Sequence, residues 1–187
     1  HGLPELRVDG RAALFYTSGT TGPPKGVPLS HENLAFQLDR VRETGLLGRG
    51  DRVLLPLPPH HVYPFVIGIL TPLSLGLAIV LPHALTGPQM VRALREGGVT
   101  LLLGVPRLYE ALLEGLASGF GPEDGLLRRS FERALAAEAA LRRRTGVALG
   151  KRLLRPLRQR FAPELRIMAS GGAPLSAGLA SRLESLG

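Results

Sequence analysis

The sequence of 187 residues contains no cysteine, and only two of its 23 basic residues are lysines. The absence of cysteine excludes disulfide bonds and thiolate-ligated zinc, and it favours an intracellular, cytoplasmic location. The sequence does not open with the pattern of a signal peptide, which is a cationic segment, a short apolar core and a small-residue cleavage site. We therefore expect a protein that is not secreted. Because 44% of its residues are apolar, the chain is predicted to be one globular domain or a large part of one.

Charged side chains are also absent from residues 53–91. Residues 64–82 of that stretch are long enough for a membrane-spanning helix, but Pro64, Pro72 and Pro82 divide them, and Pro72 lies where such a helix would be continuous. A membrane span is therefore disfavoured. The pattern predicts a buried helix around Phe65–Leu73, followed by a buried strand at Leu77–Leu81.

The net charge of +8 is concentrated in residues 128–160, which carry eleven basic and two acidic side chains. Phe131 is the one aromatic residue of this segment, whereas single-strand binders interleave aromatic with basic residues. Nucleic-acid binding is therefore disfavoured. A solvated helical face explains the pattern better, and the alternatives are contact with an acidic partner domain or peripheral association with an anionic membrane.

Short apolar runs bounded by turns alternate with helical patterns along the chain. This alternation predicts an α/β fold in which a parallel sheet is flanked by helices. The predicted buried parallel strands are Ala12–Tyr16, Arg52–Leu57, Leu77–Leu81, Thr100–Leu103 and Leu165–Ala169.

Capping residues define two of the predicted helices. Ser30 is a suitable N-cap for a helix over Glu32–Thr44. Thr86 and Gln89 form a capping-box pair for a second helix, which is expected to stop at Gly97.

Three further helices follow. Pro106 opens the first of them, and the basic segment is expected to form the other two, at Leu126–Arg144 and Lys151–Phe161. The core-facing stripe of the helix that Pro106 opens is predicted at Leu108, Leu112 and Leu116.

Residues 16–27 form the most specific feature, Tyr-Thr-Ser-Gly-Thr-Thr-Gly-Pro-Pro-Lys-Gly-Val. Such a loop offers backbone N–H groups, hydroxyls and one ammonium to an anion, most often a polyphosphate. The compact ammonium of Lys25 fits a tight loop better than a planar guanidinium does. It is not a Walker A loop, because glycine follows Lys25. On the residues alone, two interpretations stay open: an anion-binding loop and a flexible strand-to-helix connection.

This loop resembles the signature loop of the adenylate-forming enzymes, the superfamily of acyl-CoA synthetases, nonribosomal peptide adenylation domains and luciferases. Residues 57–64, Leu-Pro-Pro-His-His-Val-Tyr-Pro, resemble the family's Leu-Pro-Leu-x-His motif, and residues 170–175, Ser-Gly-Gly-Ala-Pro-Leu, resemble its adenine-side motif. Residues 104–110, Gly-Val-Pro-Arg-Leu-Tyr-Glu, resemble the long-chain acyl-CoA synthetase group. The resemblance implies that residues 1–187 are one partial N-terminal domain, with a basic helical insertion at about 118–163 and no C-terminal domain.

The resemblance also implies roles for individual residues. His61 is placed near the acid substrate, with His60 as the alternative because the extra Pro59 shifts the register. The implied contacts of the β- and γ-phosphates are Thr17, Ser18, Gly19, Thr20, Thr21, Gly22 and Lys25, with the Thr17 hydroxyl on the magnesium side. The implied adenine contacts are Gly171, Gly172, Ala173 and Pro174. The alternatives are a solvated lysine at position 25 and a plain strand-to-helix turn at 171–174.

The implied activity is ATP-dependent activation of a carboxylic acid, most like a long-chain fatty acid, through an acyl-adenylate to an acyl-CoA thioester. ATP, Mg²⁺ and CoA are its implied substrates and cofactors. The family's Tyr-Gly-x-Thr-Glu motif, ribose-binding aspartate and catalytic lysine are missing from the sequence. We therefore expect no catalytic residue in these 187 residues, and no acyl-adenylate formation by them alone.

The alternatives are another acyl or aryl acid ligase of the superfamily, and a non-catalytic phosphate-binding or interaction module. Homo-oligomerisation is a further expectation, because a partial domain exposes sheet edges and apolar faces.

Overall fold

The structure is a computed structural model that describes residues 7, 9–17, 22–122, 124–146, 150 and 154–186. The chain divides into two compact units. The first comprises His1–Asp51 and Leu57–Ile79, and the second comprises Arg52–Pro56 and Val80–Gly187.

The first unit contains a β-hairpin and a set of helices. Its elements are β1 (Arg11–Thr17), β2 (Lys25–Ser30), α1 (His31–Glu43), α2 (Val62–Phe65), a π-helix (Val66–Leu70) and α3 (Thr71–Leu75). Helix α1 contacts β2, the π-helix and α3.

The hairpin corrects two predictions. β1 pairs with β2 in antiparallel register, with Thr17 opposite Lys25, so the predicted buried parallel strand at Ala12–Tyr16 and the strand-to-helix connection are both wrong. Most side chains of β1 are exposed, including 68% of Tyr16, whereas Ala13 and Phe15 are half-buried. The physical reason is that a short Gly/Pro-rich loop suffices to join antiparallel strands, whereas a parallel pair needs a crossover of a dozen or more residues. The second apolar run, at 27–29, supplies the partner strand.

Helix α1 confirms its sequence prediction. Ser30 is the N-cap, and its Oγ accepts a hydrogen bond from the Asn33 N–H at 3.1 Å. The Asn33 Oδ1 in turn accepts from the Ser30 N–H at 3.0 Å, which completes a capping box. The predicted apolar face is half-buried at Leu34, Leu38 and Val41.

The predicted helix at Phe65–Leu73 also forms, but its middle turn is π-helical. The Thr71 hydroxyl donates to the Val66 carbonyl at 2.9 Å within this turn. No helix among the described residues is long and apolar enough to cross a membrane.

The second unit is an α/β layer structure. Its strands form a four-stranded sheet of order β4-β3-β5-β6. The strands are β3 (Arg52–Leu54), β4 (Ala78–Val80, of which only Val80 belongs to this unit), β5 (Leu101–Gly104) and β6 (Ile167–Ser170), and the helices are α4 (Gly87–Glu96), α5 (Pro106–Ser118), α6 (Leu126–Thr145), α7 (Arg155–Phe161) and α8 (Ala177–Ser185).

The central strands confirm the predicted parallel sheet. β5 pairs in parallel with β3 on one side and with β6 on the other, and Leu102 lies opposite both Leu54 and Met168. Every residue of β5 is buried, as expected for a strand covered on both faces. The strand predicted at Leu77–Leu81 forms as β4 but is only partly buried, because it lies at the edge of the sheet.

Helix α5 begins at Pro106 as predicted, but its buried stripe is displaced by one residue. The fully buried positions are Tyr109, Leu113 and Ala117, whereas the predicted stripe of Leu108, Leu112 and Leu116 is half-buried. The displacement has a physical cause: the aromatic side chain of Tyr109 fills the space over the sheet.

The basic segment does not form a wholly solvated face. Arg128 is buried, and its guanidinium lies 2.6 Å from Glu114 and 3.6 Å from Glu132. Arg142 pairs with Glu184 on α8 at 2.5 Å. Glu114 and Glu184 lie outside the segment, so the composition of residues 128–160 alone gave no indication of these two ion pairs.

Removing the Ser30 side-chain cap gives a testable stability change. We expect Ser30→Ala to lower the free energy of unfolding by about 1 kcal/mol, because the Asn33 N–H loses its acceptor. The matched control is Thr86→Ala. Thr86 is the N-cap of α4, but its side chain makes no capping hydrogen bond, so the predicted Thr86–Gln89 capping box is wrong.

Urea unfolding followed by circular dichroism measures both variants. Equal shifts for Ser30→Ala and Thr86→Ala would show that the bond seen at α1 contributes nothing to stability.

Candidate functional site

The hairpin brings together the two ends of the signature loop. Thr17 and Lys25 are cross-strand partners, and the Thr17 hydroxyl donates to the Lys25 carbonyl at 3.4 Å. Ser18, Gly19, Thr20 and Thr21 lie outside the described residues. A Cβ added to Gly22 would meet no atom of the described residues within 4 Å. The Lys25 side chain is exposed.

His61 lies in the same unit, at the start of a helix. It is the N-cap of α2, and its side chain makes no capping bond there. Both His60 and His61 are exposed, and their ring centroids are 4.3 Å apart. The π-helix begins shortly after, at Val66. Such turns occur frequently at functional sites, and the sequence pattern carried no signal for this one.

The predicted adenine segment follows β6 in the second unit. Residues 171–174 lie at the carboxyl ends of the parallel strands, where ligands bind in open α/β sheets. Gly172 has φ of +77°, a conformation that favours glycine. The Gly171 N–H donates to the Gly104 carbonyl of β5 at 3.2 Å. Ala173 and Pro174 are exposed.

Tyr109 of α5 holds the strand from which this segment extends, a role that the sequence did not predict. Its side chain is 1% exposed, and its hydroxyl lies 3.0 Å from the Leu102 carbonyl of β5 and 2.7 Å from the Ala169 carbonyl of β6. The Tyr109 hydroxyl thus lies within hydrogen-bonding distance of both strands whose ends carry the segment. The glycine at 104, against which the ring packs, was the sequence signal, since glycine inside a strand marks a close approach.

Ser170 is the second residue of interest that sequence reasoning left without a role. Among the described residues, its hydroxyl is buried and has no hydrogen-bond partner. It immediately precedes the glycines of the adenine segment. A buried polar atom without a partner costs free energy. Ser170 lies at the carboxyl end of β6, where a hydrogen bond to a bound ligand would satisfy its hydroxyl.

The described residues contain no group of three or more histidine, cysteine, aspartate or glutamate side chains that could hold a metal ion. The predicted magnesium-side contact, Thr17, lies within the described residues. Magnesium takes oxygen ligands and keeps several waters while binding substrate phosphates. A single protein hydroxyl fits that ligand set.

The second unit is thus a parallel α/β layer, and the predicted adenine segment lies at the carboxyl ends of its strands. The model of the family described as AMP-binding enzyme matches residues 3–187, so the chain belongs to the AMP-binding enzyme family, as its motifs predicted.

Curated relatives support this membership and differ in their acids. The chain is 34% identical over 160 residues to a long-chain-fatty-acid–CoA ligase, ACSBG2, of Rattus norvegicus, which covers 82% of the chain and 23% of the relative. It is 36% identical over 136 residues to a sulfoacetate–CoA ligase of Cupriavidus necator, with coverage of 73% and 26%. The chain therefore spans about a quarter of the length of these relatives.

Solved structures show the same fold. A malonyl-CoA ligase in a ternary product complex with methylmalonyl-CoA and AMP has a TM-score of 0.64 and 27% identity, covering 96% of this chain and 31% of that one. Apo MatB from Rhodopseudomonas palustris has a TM-score of 0.67 at 21% identity, covering 97% and 28%.

Proposed function

We propose that the full-length protein activates a carboxylic acid with ATP, through an acyl-adenylate, and transfers the acyl group to CoA. The observation that carries this proposal is the hairpin, which pairs Thr17 with Lys25 at the ends of the signature loop. Family membership and the relatives named as CoA ligases support it.

The chemistry explains what each group does. A carboxylate oxygen attacks the α-phosphorus of ATP, a new P–O bond forms, and pyrophosphate leaves with the electrons of the broken P–O bond. The thiol of CoA then attacks the acyl carbonyl, loses its proton to the medium, and displaces AMP. The first step requires positioning of the phosphates and neutralisation of their charge. Lys25 supplies the cation and the loop backbone supplies N–H donors.

Bound Mg²⁺ would neutralise further phosphate charge in this arrangement. In our proposal the Thr17 hydroxyl lies on the magnesium side while its O–H still donates to the Lys25 carbonyl, since a hydroxyl has acceptor lone pairs in addition to its proton. Residues 171–174 line the adenine, and His61 lies near the entering acid.

For the acid itself, we propose a long-chain fatty acid. The support is the rat relative and the Gly104–Glu110 motif, which resembles that of the long-chain group. The sulfoacetate ligase is the reason for testing short acids beside long ones.

ATP–pyrophosphate exchange by the full-length protein tests the acid. We expect exchange with hexadecanoate to exceed exchange with acetate, sulfoacetate or oxalate at least tenfold. Faster exchange with a short acid would contradict the chain-length proposal while leaving acid activation intact. If the protein binds ATP but shows no exchange with any of these acids, the non-catalytic module is favoured.

The 187-residue chain serves as a comparison in the same experiment. We expect mass spectrometry to detect no acyl-AMP when this chain is incubated with ATP, Mg²⁺ and hexadecanoate.

A further inference from the structure

The second unit contains an apolar cavity of about 690 Å³. Helices α4, α5, α7 and α8 form its walls, and the sheet contributes Leu102 and Met168. Small-molecule sites have volumes of about 300–1,000 Å³ and mostly apolar linings with a few polar groups. The size and lining of this cavity match that description.

The cavity lies apart from the predicted adenine segment. Leu165 and Arg166, at the amino end of β6, line it, whereas the adenine segment follows the carboxyl end of the same strand. None of residues 171–174 contributes to the lining.

The leucine stripe of α5 faces this cavity. Leu112 and Leu116 repeat at helical spacing, yet they are only half-buried, and both line the cavity. Periodicity predicted them as core residues. An apolar stripe that opens onto empty space, rather than onto a packed neighbour, gains its burial when an apolar ligand fills that space.

Cations border the cavity. Arg158 and Arg166 line it directly, and the Arg158 guanidinium is oriented by a hydrogen bond to the Leu165 carbonyl at 3.1 Å. An adjoining polar cleft of about 450 Å³ shares Pro88 and Val91 with the cavity.

Two more arginines, Arg92 and Arg95, line that cleft. A hydrogen bond from Arg92 to Glu96, at 2.8 Å, and the charge of this carboxylate raise the pKa of Arg92. Glu96 is the acidic side chain of the cleft, so the arginines of cavity and cleft leave an excess of positive charge.

We propose that this cavity binds the acyl chain of an anionic single-chain amphiphile, with its headgroup at Arg158 and Arg166. An apolar interior beside clustered guanidinium groups complements a molecule with a hydrocarbon tail and one anionic end. This site is additional to the one in which the acid is activated, and it does not rest on the proposed reaction. Each methylene that enters strengthens binding by about fourfold.

Two methionines make the site observable. The chain contains only Met90 and Met168. Met168 lines the cavity, while Met90 is 1% exposed in the core and is not part of the lining. In a chain labelled with ¹³C-methyl methionine, titration with dodecanoate below its micelle concentration should shift the Met168 methyl signal saturably. The Met90 signal should stay in place, and its dispersion reports that the chain is folded.

A variant with a larger side chain inside the cavity gives the decisive test. Gly115 lines the cavity inside α5, and a Cβ there would meet no atom within 4 Å. We expect Gly115→Leu to keep the fold and to weaken dodecanoate binding at least tenfold. Gly178→Leu is the matched control, because Gly178 also has open space around its Cβ but lies outside the lining. It should bind dodecanoate as the unchanged chain does.

A double variant tests where the headgroup binds. Arg158→Gln with Arg166→Gln should weaken dodecanoate at least fivefold and leave 1-dodecanol unaffected. The proposal fails if dodecanoate shows no saturable binding, if Met168 does not respond, or if Gly115→Leu binds as well as Gly178→Leu. Each of these results is independent of exchange activity, so it leaves the proposed reaction untouched.

Discussion

Gly104→Ala is expected to lower the free energy of unfolding by about 3 kcal/mol, near the upper end for overpacking in a core. A Cβ at this position would lie 2.6 Å from Cζ and 2.7 Å from Cε2 of Tyr109. Contacts this short force an atom to move. The Tyr109 ring is 1% exposed and its hydroxyl bridges β5 and β6, so the ring cannot swing away without losing that bridge.

Gly115→Ala is the matched control. Gly115 lies inside α5, and its added Cβ meets no atom within 4 Å. Alanine is a better helix former than glycine, so this variant should gain about 0.5–1 kcal/mol. Urea unfolding thus compares two Gly→Ala changes of opposite expected sign.

A double variant isolates the cause. Tyr109→Leu removes the ring atoms that collide with the new Cβ, so Gly104→Ala should cost less in that background than in the unchanged chain. The difference is a coupling free energy of about 1–2 kcal/mol. If Gly104→Ala costs the same in both backgrounds, the collision with Tyr109 is not the source of its effect.

The same strand end connects this stability to the site. The Gly104 carbonyl accepts from the Gly171 N–H, and the Tyr109 hydroxyl reaches the Ala169 carbonyl two residues earlier. Gly104 and Tyr109 belong to the motif that resembles the long-chain synthetase group. Their observed task is to fix β5 against β6 where the adenine segment begins.

Local signals predicted the fold well. Ser30 caps α1 through a partner three residues away, and Pro106 begins α5, so neither depends on distant parts of the chain. The strands at Arg52, Leu101 and Ile167 form the predicted parallel sheet because short, mainly apolar runs have few alternatives in an α/β chain.

The predictions were wrong where the burial of a residue depends on the element that packs against it. The run Ala12–Tyr16 has the composition of a buried strand, but its neighbour is the adjacent β2, and the resulting hairpin leaves Tyr16 exposed. Arg128 belongs to a strongly basic segment, yet its side chain is buried and pairs with Glu114 on another helix. Composition within a window carries no information about either partner.

The candidate site was likewise predicted in part from local sequence. The loop at 16–27 and the segment at 171–174 are recognisable from their motifs, because each motif is a continuous run of residues. Tyr109 and Ser170 also lie within motifs, at 104–110 and 170–175, but neither motif indicates what these two side chains contact. Their importance lies in the packing of β5 against β6, and the Tyr109 hydroxyl reaches a carbonyl 60 residues away in the sequence.

Lys25→Ala is expected to have the largest effect on activity. In the full-length protein it should lower kcat/KM for ATP in pyrophosphate exchange by about 10²–10³-fold, the usual loss when one group that stabilises transition-state charge is removed. Lys25 is the only cation in residues 16–27, and its pairing with Thr17 fixes its backbone at the mouth of the loop.

Arg11→Ala is the matched control for lost charge. Arg11 is an exposed cation on the same hairpin, opposite Ser30 at its other end. The length of extended strand between them places it about 20 Å from Thr17. Its removal should leave kcat/KM unchanged, whereas a general effect of net charge would lower both variants equally.

Lys25→Arg separates charge from shape. A guanidinium keeps the positive charge but is planar and bulkier than an ammonium, so we expect activity between that of Lys25→Ala and the unchanged protein. Urea unfolding should show all three variants to be equally stable, because both side chains are exposed. If Lys25→Ala retains full exchange activity, Lys25 is a solvated loop lysine, and the phosphate charge must be neutralised by groups other than this side chain.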